Sequence, residues 1–290
     1  MYKNKYFSYL QVAAVVLLTS LSVGCCKEED RFFATTLQVK AFDADKNELG
    51  SQVVKDVTLY VFDKEKTFLG TRELKLSESF TLDFPEHDTL KLVVWGNTGQ
   101  GNQTITPLKA GDRLDDAFVS LIHTKATLPV AGSPDDLFYV SGDLVTGKNT
   151  ESVLSLRRKT ASVAITARCL REYVGSSEGE FRYVLRKTRD KLNFYGKPTG
   201  EDVSYGPAST FNDKGDFVSS VFNILPTDED LKIDIYHRDV LKATVIADSE
   251  GKPLRAVEGR LLNVLVDFQG EISVEVKVTD WGQQEIWKQF

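Results

Sequence analysis

The residues able to do covalent or metal chemistry are few and widely separated in this sequence. They are Cys25, Cys26, Cys169, His87, His123 and His237. None of the spacings between them matches a zinc site, and adjacent cysteines are poorly placed to bond to each other. The sequence also lacks a Gly-x-Ser-x-Gly nucleophile elbow and a complete phosphate-binding loop. We therefore expect no catalytic residue, no metal site, no cofactor and no enzyme activity.

Two pairs of carboxylates and one glycine-rich stretch remain as candidates for ion or phosphate binding. Asp115–Asp116 and Asp135–Asp136 lie in polar segments, where calcium binding is the alternative to helix capping or a solvated turn. The stretch WGNTGQGN, Trp95 to Asn102, has no Gly-Lys-Ser/Thr ending. We favour turns at all three places.

The N-terminus has the pattern of a secretory signal. Lys3 and Lys5 precede an uncharged segment that runs from Tyr6 to Gly24. A positive start, a short apolar stretch and a small final residue are typical of a cleaved signal peptide. The segment is short for a membrane-spanning helix, which needs about 20 mostly apolar residues.

The junction between Gly24 and Cys25 resembles the lipobox of bacterial lipoproteins, in which the cysteine thiol receives diacylglycerol. That family usually has Leu three positions before the cysteine, where this sequence has Ser22. With Cys26 as the alternative, Val23 would fill that position, but a cysteine would then precede the cut. Because a cysteine directly before the cut is less usual, we predict Cys25 as the lipid attachment point. Two or more acyl chains at this residue would give stable anchoring to the outer membrane.

A short charged run follows the two cysteines. It consists of Lys27, Glu28, Glu29 and Asp30. The run resembles the acidic export signal of surface lipoproteins in certain Gram-negative anaerobes, and the alternative is a solvated spacer. We expect the protein to be exposed on the cell surface.

Composition favours a soluble, β-rich body. The formal net charge is -6, with 41% hydrophobic and 27% charged residues, and 17 Phe and 10 Tyr are present. Aromatic and β-branched residues favour strands. An acidic chain lacks the basic face that a nucleic-acid partner requires, so we expect none.

Alternation of apolar and polar residues predicts many short strands with one wet face. Leu37, Val39 and Ala41 share a face in the first run. Cys169 shares a face with Val163 in SVAITARC and is predicted to be a small buried apolar group. Further runs are 57–63, 231–237 and 272–278, and two longer segments, 57–74 and 231–248, each have the pattern of a hairpin.

The sequence predicts four segments. These are a lipoprotein signal peptide (1–24), a lipidated acidic spacer (25–34), an N-terminal β-sandwich (35–149) and a C-terminal β-sandwich (150–290). The boundary is placed at the polar stretch TGKNTES, Thr146 to Ser152. The predicted fold class is therefore all-β, with two sandwiches in tandem.

The C-terminus carries large apolar residues where a chain end normally frays. We expect them to dock, either on the body of the protein or on a partner. They are Trp281, Ile286, Trp287 and Phe290.

Four stretches, in their order along the chain, resemble the FimB-type anchoring lipoproteins of type V pili. They are LYVFDKEKTFLG (Leu59 to Gly70), LVVWGNTGQG (Leu92 to Gly101), LRRKTASVAITA (Leu156 to Ala167) and LLNVLVDFQGEISVEVKVTDW (Leu261 to Trp281). The resemblance implies two transthyretin-like β-sandwich domains in tandem. It also implies a lipoprotein of the outer membrane that holds the base of a fimbrium and limits its length.

In that family, pilins join by strand addition, in which main-chain hydrogen bonds give affinity. An anchor that keeps its lipid and its N-terminal strand has its own groove filled, so the resemblance implies that it donates a strand to a pilin. The candidate joining residues are Ile272, Val274, Val276, Val278, Trp281, Ile286, Trp287 and Phe290.

The alternative function is a surface binding module, such as a tip adhesin or a glycan-binding lipoprotein. A glycan binder needs a platform of exposed aromatic side chains. Trp95, Trp281 and Trp287 are the candidates for such a platform.

Overall fold

The computed structural model describes residues 35–99, 101–127, 129–146 and 151–284. The first strands are β1 (Thr36–Phe42), β2 (Glu48–Leu49), β3 (Val57–Asp63), β4 (Phe68–Leu74), β5 (Ser79–Thr81), β6 (Thr89–Gly96), β7 (Gln103–Ile105), β8 (Phe118–Leu121), β9 (Val130–Ala131), β10 (Phe138–Val145) and β11 (Glu151–Arg158). They are followed by β12 (Ala161–Arg168), β13 (Phe181–Asn193), β14 (Pro198–Tyr205), β15 (Ser209–Phe211), β16 (Phe217–Ser219), β17 (Phe222–Ile224), β18 (Lys232–His237), β19 (Val240–Val245), β20 (Arg260–Asp267) and β21 (Ser273–Asp280).

Helical structure is confined to two short pieces of the described chain. A 3₁₀ turn covers Leu114–Asp116, and one α-helix, α1, covers Leu170–Val174. No helix in the described ranges has the length and apolar character to cross a membrane. The all-β prediction is confirmed.

The strands form three sheets. The first has the order β2-β1-β11-β10-β6-β3-β4, with β5 also paired to β1. The second has the order β15-β16-β12-β20-β21, with β17 beside β12. The third has the order β19-β18-β13-β14-β9, and β8 joins it through β13 and also pairs with β7. Most pairs are antiparallel, but β1 with β11 and β12 with β20 are long parallel pairs.

The predicted alternation is correct for β1 and incomplete for two central strands. Leu37, Val39 and Ala41 have no exposed surface, whereas the residues between them are half-buried. In β3, residues of both faces are buried, and in β12 every position but the last is buried. These two strands have covered faces on both sides, so each lacks the predicted wet face.

The two faces of the first sheet belong to different clusters of buried side chains. One face carries a cluster of its own, with Leu37, Leu59 and Leu92 among its members. The other face continues into the core shared by the second and third sheets. Phe194, fully buried at the end of β13, lies 5.0 Å from the Tyr60 ring and 6.1 Å from the Trp95 ring. This aromatic contact joins the first sheet to the third.

Hydrogen bonding crosses the predicted boundary at residue 149 in both directions. The strand β11 lies after it and pairs with β1, while β8 and β9 lie before it and pair with β13 and β14. Only Lys159 and Thr160 separate β11 from β12. The division into an N-terminal and a C-terminal β-sandwich therefore stays a prediction. The two predicted hairpins are confirmed as β3–β4 and β18–β19.

Candidate functional site

The last described strand, β21, carries three of the predicted joining residues, Val274, Val276 and Val278, and lies at an edge of the second sheet. It pairs with β20 over eight positions, from Asp280 opposite Arg260 to Ser273 opposite Asp267, without a register shift. No other described strand pairs with it. An edge strand presents backbone groups to which another extended chain can bond.

The hydrogen bonds of Val274 show which backbone groups face outward. Its N–H donates to Ser249 Oγ at 2.7 Å, and its carbonyl accepts from the Ser249 N–H at 2.9 Å. In an antiparallel strand, this outward direction recurs at every second residue. The N–H and carbonyl groups of Val276 and Val278 therefore also point away from β20, toward the open side of the sheet.

The side chains of β21 divide between the core and the solvent. Val274 and Val276 are half-buried and pack against the core. Val278 is 48% exposed, and Ile272, directly before the strand, is 42% exposed. A strand added beside β21 would cover part of this apolar surface as well as the open backbone groups.

A guanidinium group connects the end of β21 to the first sheet. The Arg158 guanidinium, at the end of β11, lies 4.5 Å from the centre of the Trp281 ring and 5.2 Å from that of Phe138. Its Nε donates to both Asp136 carboxylate oxygens at 2.8–2.9 Å. Burial raises the pKa of Asp136 to about 6, although Arg158 acts in the opposite direction. Trp281, predicted to dock, thus docks on its own chain.

A second ion pair ties the same end of β21 to the turn after β1. The Arg260 guanidinium lies 2.6 Å from Asp45 and also contacts Asp280. These groups border a cleft of about 340 Å³ that Trp281 and Arg158 also line. The end of β21 is therefore held against the first sheet by two separate contacts.

The first described strand, β1, is not an edge strand. In the sheet, β1 lies between β11 on one side and the short strands β2 and β5 on the other. Its inward side chains are fully buried. No open position for another strand therefore lies beside β1 among the described strands of this sheet.

The three histidines are not brought together. The His237 ring stacks on Phe181, and its Nε2 lies 2.6 Å from the carbonyl oxygen of Glu178. His123 lies 3.6 Å from Asp190, and His87 lies in the loop before β6. Within the described residues, no group of three His, Cys, Asp or Glu side chains could hold a metal ion.

The paired carboxylates bond to neighbouring protein groups. Asp115 accepts the Tyr195 hydroxyl, and Asp135 accepts the Gln103 side-chain amide at 3.0 Å. Asp136 is held by Arg158, as described above. Asp115 and Asp116 lie in a 3₁₀ turn. Asp135 and Asp136 lie in a loop, where the Asp136 side chain is only 21% exposed and so is not in a solvated turn.

The structure assigns Asn97 a role that the sequence did not suggest. Its side chain accepts the Lys55 N–H at 2.8 Å and donates to the carbonyls of Val53 and Asp136 at 2.9 and 2.8 Å. The residue adopts a left-handed conformation, with φ of 61°, which Asn tolerates better than most residues. Asn97 therefore fastens together two loops of the first sheet. In the sequence, only the position of Asn97 directly after Trp95 and Gly96 could have suggested this role.

Cys169 differs in position from its prediction. It is half-buried, with φ of 51°, in the turn between β12 and α1. Although it follows the strand, it still packs against the core cluster that contains Val163.

Several predicted residues lie outside the described part of the chain. They are Cys25, Lys27, Glu28, Glu29, Asp30, Ile286, Trp287 and Phe290.

Comparison with known proteins gives concordant matches over nearly the whole chain. The family model of fimbrillin-A associated anchor proteins Mfa1 and Mfa2 matches residues 28–287. The major fimbrium anchoring subunit FimB of Porphyromonas gingivalis is 25% identical, over 99% of this chain and 100% of the relative. FimB of strain W83 is 26% identical, over 96% of this chain and 97% of the relative.

A solved structure agrees with these matches in fold. The fimbrial anchor protein Mfa2 from Porphyromonas gingivalis superimposes with a TM-score of 0.65 at 14% identity, covering 86% of this chain and 97% of Mfa2. The protein belongs to the family of fimbrillin-A associated anchor proteins.

Proposed function

We propose that the protein is an outer-membrane lipoprotein that holds the base of a fimbrium at the cell surface and limits its length. The anchor role follows from the family. The lipid at Cys25, the surface location and the mode of joining are our inferences from the sequence and the fold.

The observation that carries this proposal is that β1 is paired with other strands on both of its sides. Leu37, Val39 and Ala41 are fully buried, and the strand has neighbours on both sides. A subunit whose first strand is bonded in this way offers no gap at that position for a neighbour's strand. Such a subunit ends a fibre, as a base must.

The distance from the lipid to the body follows from the chain length between them. Cys25 lies eleven positions before Thr36. Eleven extended residues span at most about 40 Å. The body is thus held close to the membrane, with the charged residues 27–30 in the tether.

The joint is proposed at the open side of β21. The strand is paired with β20 over its whole length, so it can take part in a joint without leaving its own sheet. The outward N–H and carbonyl groups of Val276 and Val278 can receive an extended segment of a pilin as an added strand. This differs from donation of β21 itself, which would first require breaking its ladder with β20.

The third sheet has an edge strand of its own, β19, with exposed Val240 and Leu241. The pairing of β19 with β18 contains a bulge between Ile235 and Tyr236. Bulges bend and twist a strand, which makes an edge a poorer template. The regular register of β21 favours it over β19.

The role is tested by removing the protein from its cell. We expect long fibres that are released into the medium, because nothing then holds or ends the base. Fibres of normal length that stay attached to cells would contradict the anchor role.

The lipid site is tested by palmitate labelling of two matched variants. Cys25→Ala should lose the label, whereas Cys26→Ala should keep it. Label retained in Cys25→Ala would overturn the choice between the two cysteines.

The joint is tested by Val276→Pro. Proline removes the outward N–H but leaves the bonds to β20 intact, because those come from the neighbouring residues. We expect fewer cell-attached fibres with an unchanged amount of folded anchor. Val276→Thr keeps the N–H and should hold fibres normally. Equal retention by the two variants would place the joint elsewhere.

No described tryptophan favours the alternative glycan-binding module. Trp95 is fully buried, and the Trp281 ring lies against Arg158. Neither provides the exposed platform that a sugar ring requires.

A further inference from the structure

The parallel pair β1–β11 has a geometry suited to carrying mechanical load. The two strands are in register over seven positions, from Thr36 opposite Glu151 to Phe42 opposite Arg157. Because they run in the same direction, the start of β1 and the end of β11 lie at opposite ends of the pair.

The chain leaves the pair from these two opposite ends. Before Thr36 it leads to the N-terminal segment that contains Cys25. After Arg158 it leads, through two residues, into β12 and the second sheet. Tension between the N-terminus and the rest of the body therefore pulls β1 and β11 in opposite directions along their common axis.

Tension in this direction makes the strands slide instead of peel. In sliding, all ladder hydrogen bonds of the pair resist together, whereas in peeling they break one after another. The rate of forced unfolding depends on the barrier that must be crossed in one step. Breaking many hydrogen bonds in one step gives the higher barrier.

Buried side chains add to the resistance. Leu37, Val39 and Ala41 on β1 and Leu156 on β11 are all fully buried. A slip of one residue would turn the apolar face of β1 toward the opposite side of the sheet. On its other side, β1 is held at Leu37 by Phe80 of β5 and at Ala41 by Leu49 of β2.

We propose that the β1–β11 pair is a shear clamp that bears the tension between the N-terminal tether and the body of the protein. The role of this clamp on a cell depends on the proposed anchoring function. Its strength is a property of the chain alone and can be measured without a fibre.

The contacts at the end of β21 complete the path of the load. Force applied at the C-terminal end of β21 alone would peel that strand from β20, because Asp280 and the start of β12 lie at the same end of the second sheet. Trp281 instead rests on Arg158, the last residue of β11. Load at this end therefore also reaches the clamp.

The test is single-molecule pulling on the full chain. One attachment point is the same in every experiment, and the other is placed at one of two positions. The constant attachment point is Cys26, with Cys25 and Cys169 replaced by Ser. The second attachment point is a cysteine placed either by Arg157→Cys or by Glu151→Cys, both exposed positions at opposite ends of β11. The first arrangement slides β1 along β11, and the second peels it.

We expect the sliding arrangement to need at least about twice the rupture force of the peeling arrangement. Equal forces would overturn the proposal. Equal fibre retention by Val276→Pro and Val276→Thr would instead count against the proposed joint and would leave the rupture forces unchanged, so the two failures are distinguishable.

A pair of core variants separates clamp strength from general stability. Leu37→Ala in β1 and Leu59→Ala in β3 both remove a fully buried leucine from the same cluster. In the sliding arrangement, only Leu37→Ala should lower the rupture force, although denaturant unfolding should show similar losses. An equal fall in rupture force for both variants would show that the pair has no special mechanical role.

Discussion

The first and last described strands, β1 and β21, share an alternating sequence pattern but have opposite environments. Both alternate apolar and polar residues over seven or eight positions. The inward residues of β1 are fully buried and the strand has neighbours on both sides, whereas β21 has one neighbour among the described strands and half-exposed valines. The difference shows that position in the sheet, more than alternation, decides which strand is sealed and which remains available for a partner.

The largest expected effect comes from the same substitution made in each strand. Val39→Ala should lower the free energy of unfolding by about 2–3 kcal/mol, because two buried methyl groups are lost and a cavity remains. Val278→Ala, at a position that is 48% exposed, should change it by less than about 0.5 kcal/mol. Urea denaturation monitored by tryptophan fluorescence measures both. Similar losses would contradict the contrast between the strands.

The next effect concerns Asp136, which accepts hydrogen bonds from Arg158, the residue that connects the first sheet to the end of β21. The pKa of Asp136 is raised to about 6 by burial, against about 3.9 for an unfolded Asp. Its contribution to stability is therefore fully present below about pH 4 and is lost as the pH rises through 6. Relative to Asp136→Asn, the wild-type protein should lose on the order of 2 kcal/mol between pH 3.5 and 7.

Comparison with Asp136→Asn cancels the pH dependence of stability that comes from the other carboxylates. For some of these carboxylates, stability changes with pH in the opposite direction. The pKa of Asp43, for example, is lowered by its hydrogen bond with Asn47. A difference between wild type and Asp136→Asn that is constant with pH would show that Asp136 has an ordinary pKa.

The smallest effect is expected at Trp281, where β21 meets the first sheet. Trp281→Ala should cost about 1 kcal/mol, because a partly exposed cation–π contact with Arg158 is lost. Trp281→Phe keeps a ring over the guanidinium and should retain part of that stability. Thermal unfolding of the two variants under matched conditions checks this order. If both unfold like the wild type, the contact does not fasten the end of β21.

The sequence was sufficient for the strand type, the apolar face of β1 and the two hairpins, because these depend on neighbours within a few residues. It was insufficient for the lateral order of strands, since alternation identifies a face but not the strand beside it. The edge position of β21 and the burial of both faces of β12 therefore appear only in the structure.

Sequence patterns also could not predict the contacts that position the candidate site. Asn97 bonds to Val53 and Lys55, more than forty residues earlier, and Arg260 pairs with Asp45, 215 residues away. A single sequence without homologues has no signal that links such positions. Ser249, which bonds to the outward groups of Val274, is likewise an ordinary turn residue by its sequence context.

The open side of β21 also determines how the purified protein will behave without its partner. An unpaired edge is a template for any extended chain, including a second copy of itself. Two copies that meet antiparallel about Val276 would place Glu275 of each opposite Lys277 of the other, and opposite charges across strands attract. We therefore expect concentrated solutions to self-associate through this edge, and added salt to weaken that association.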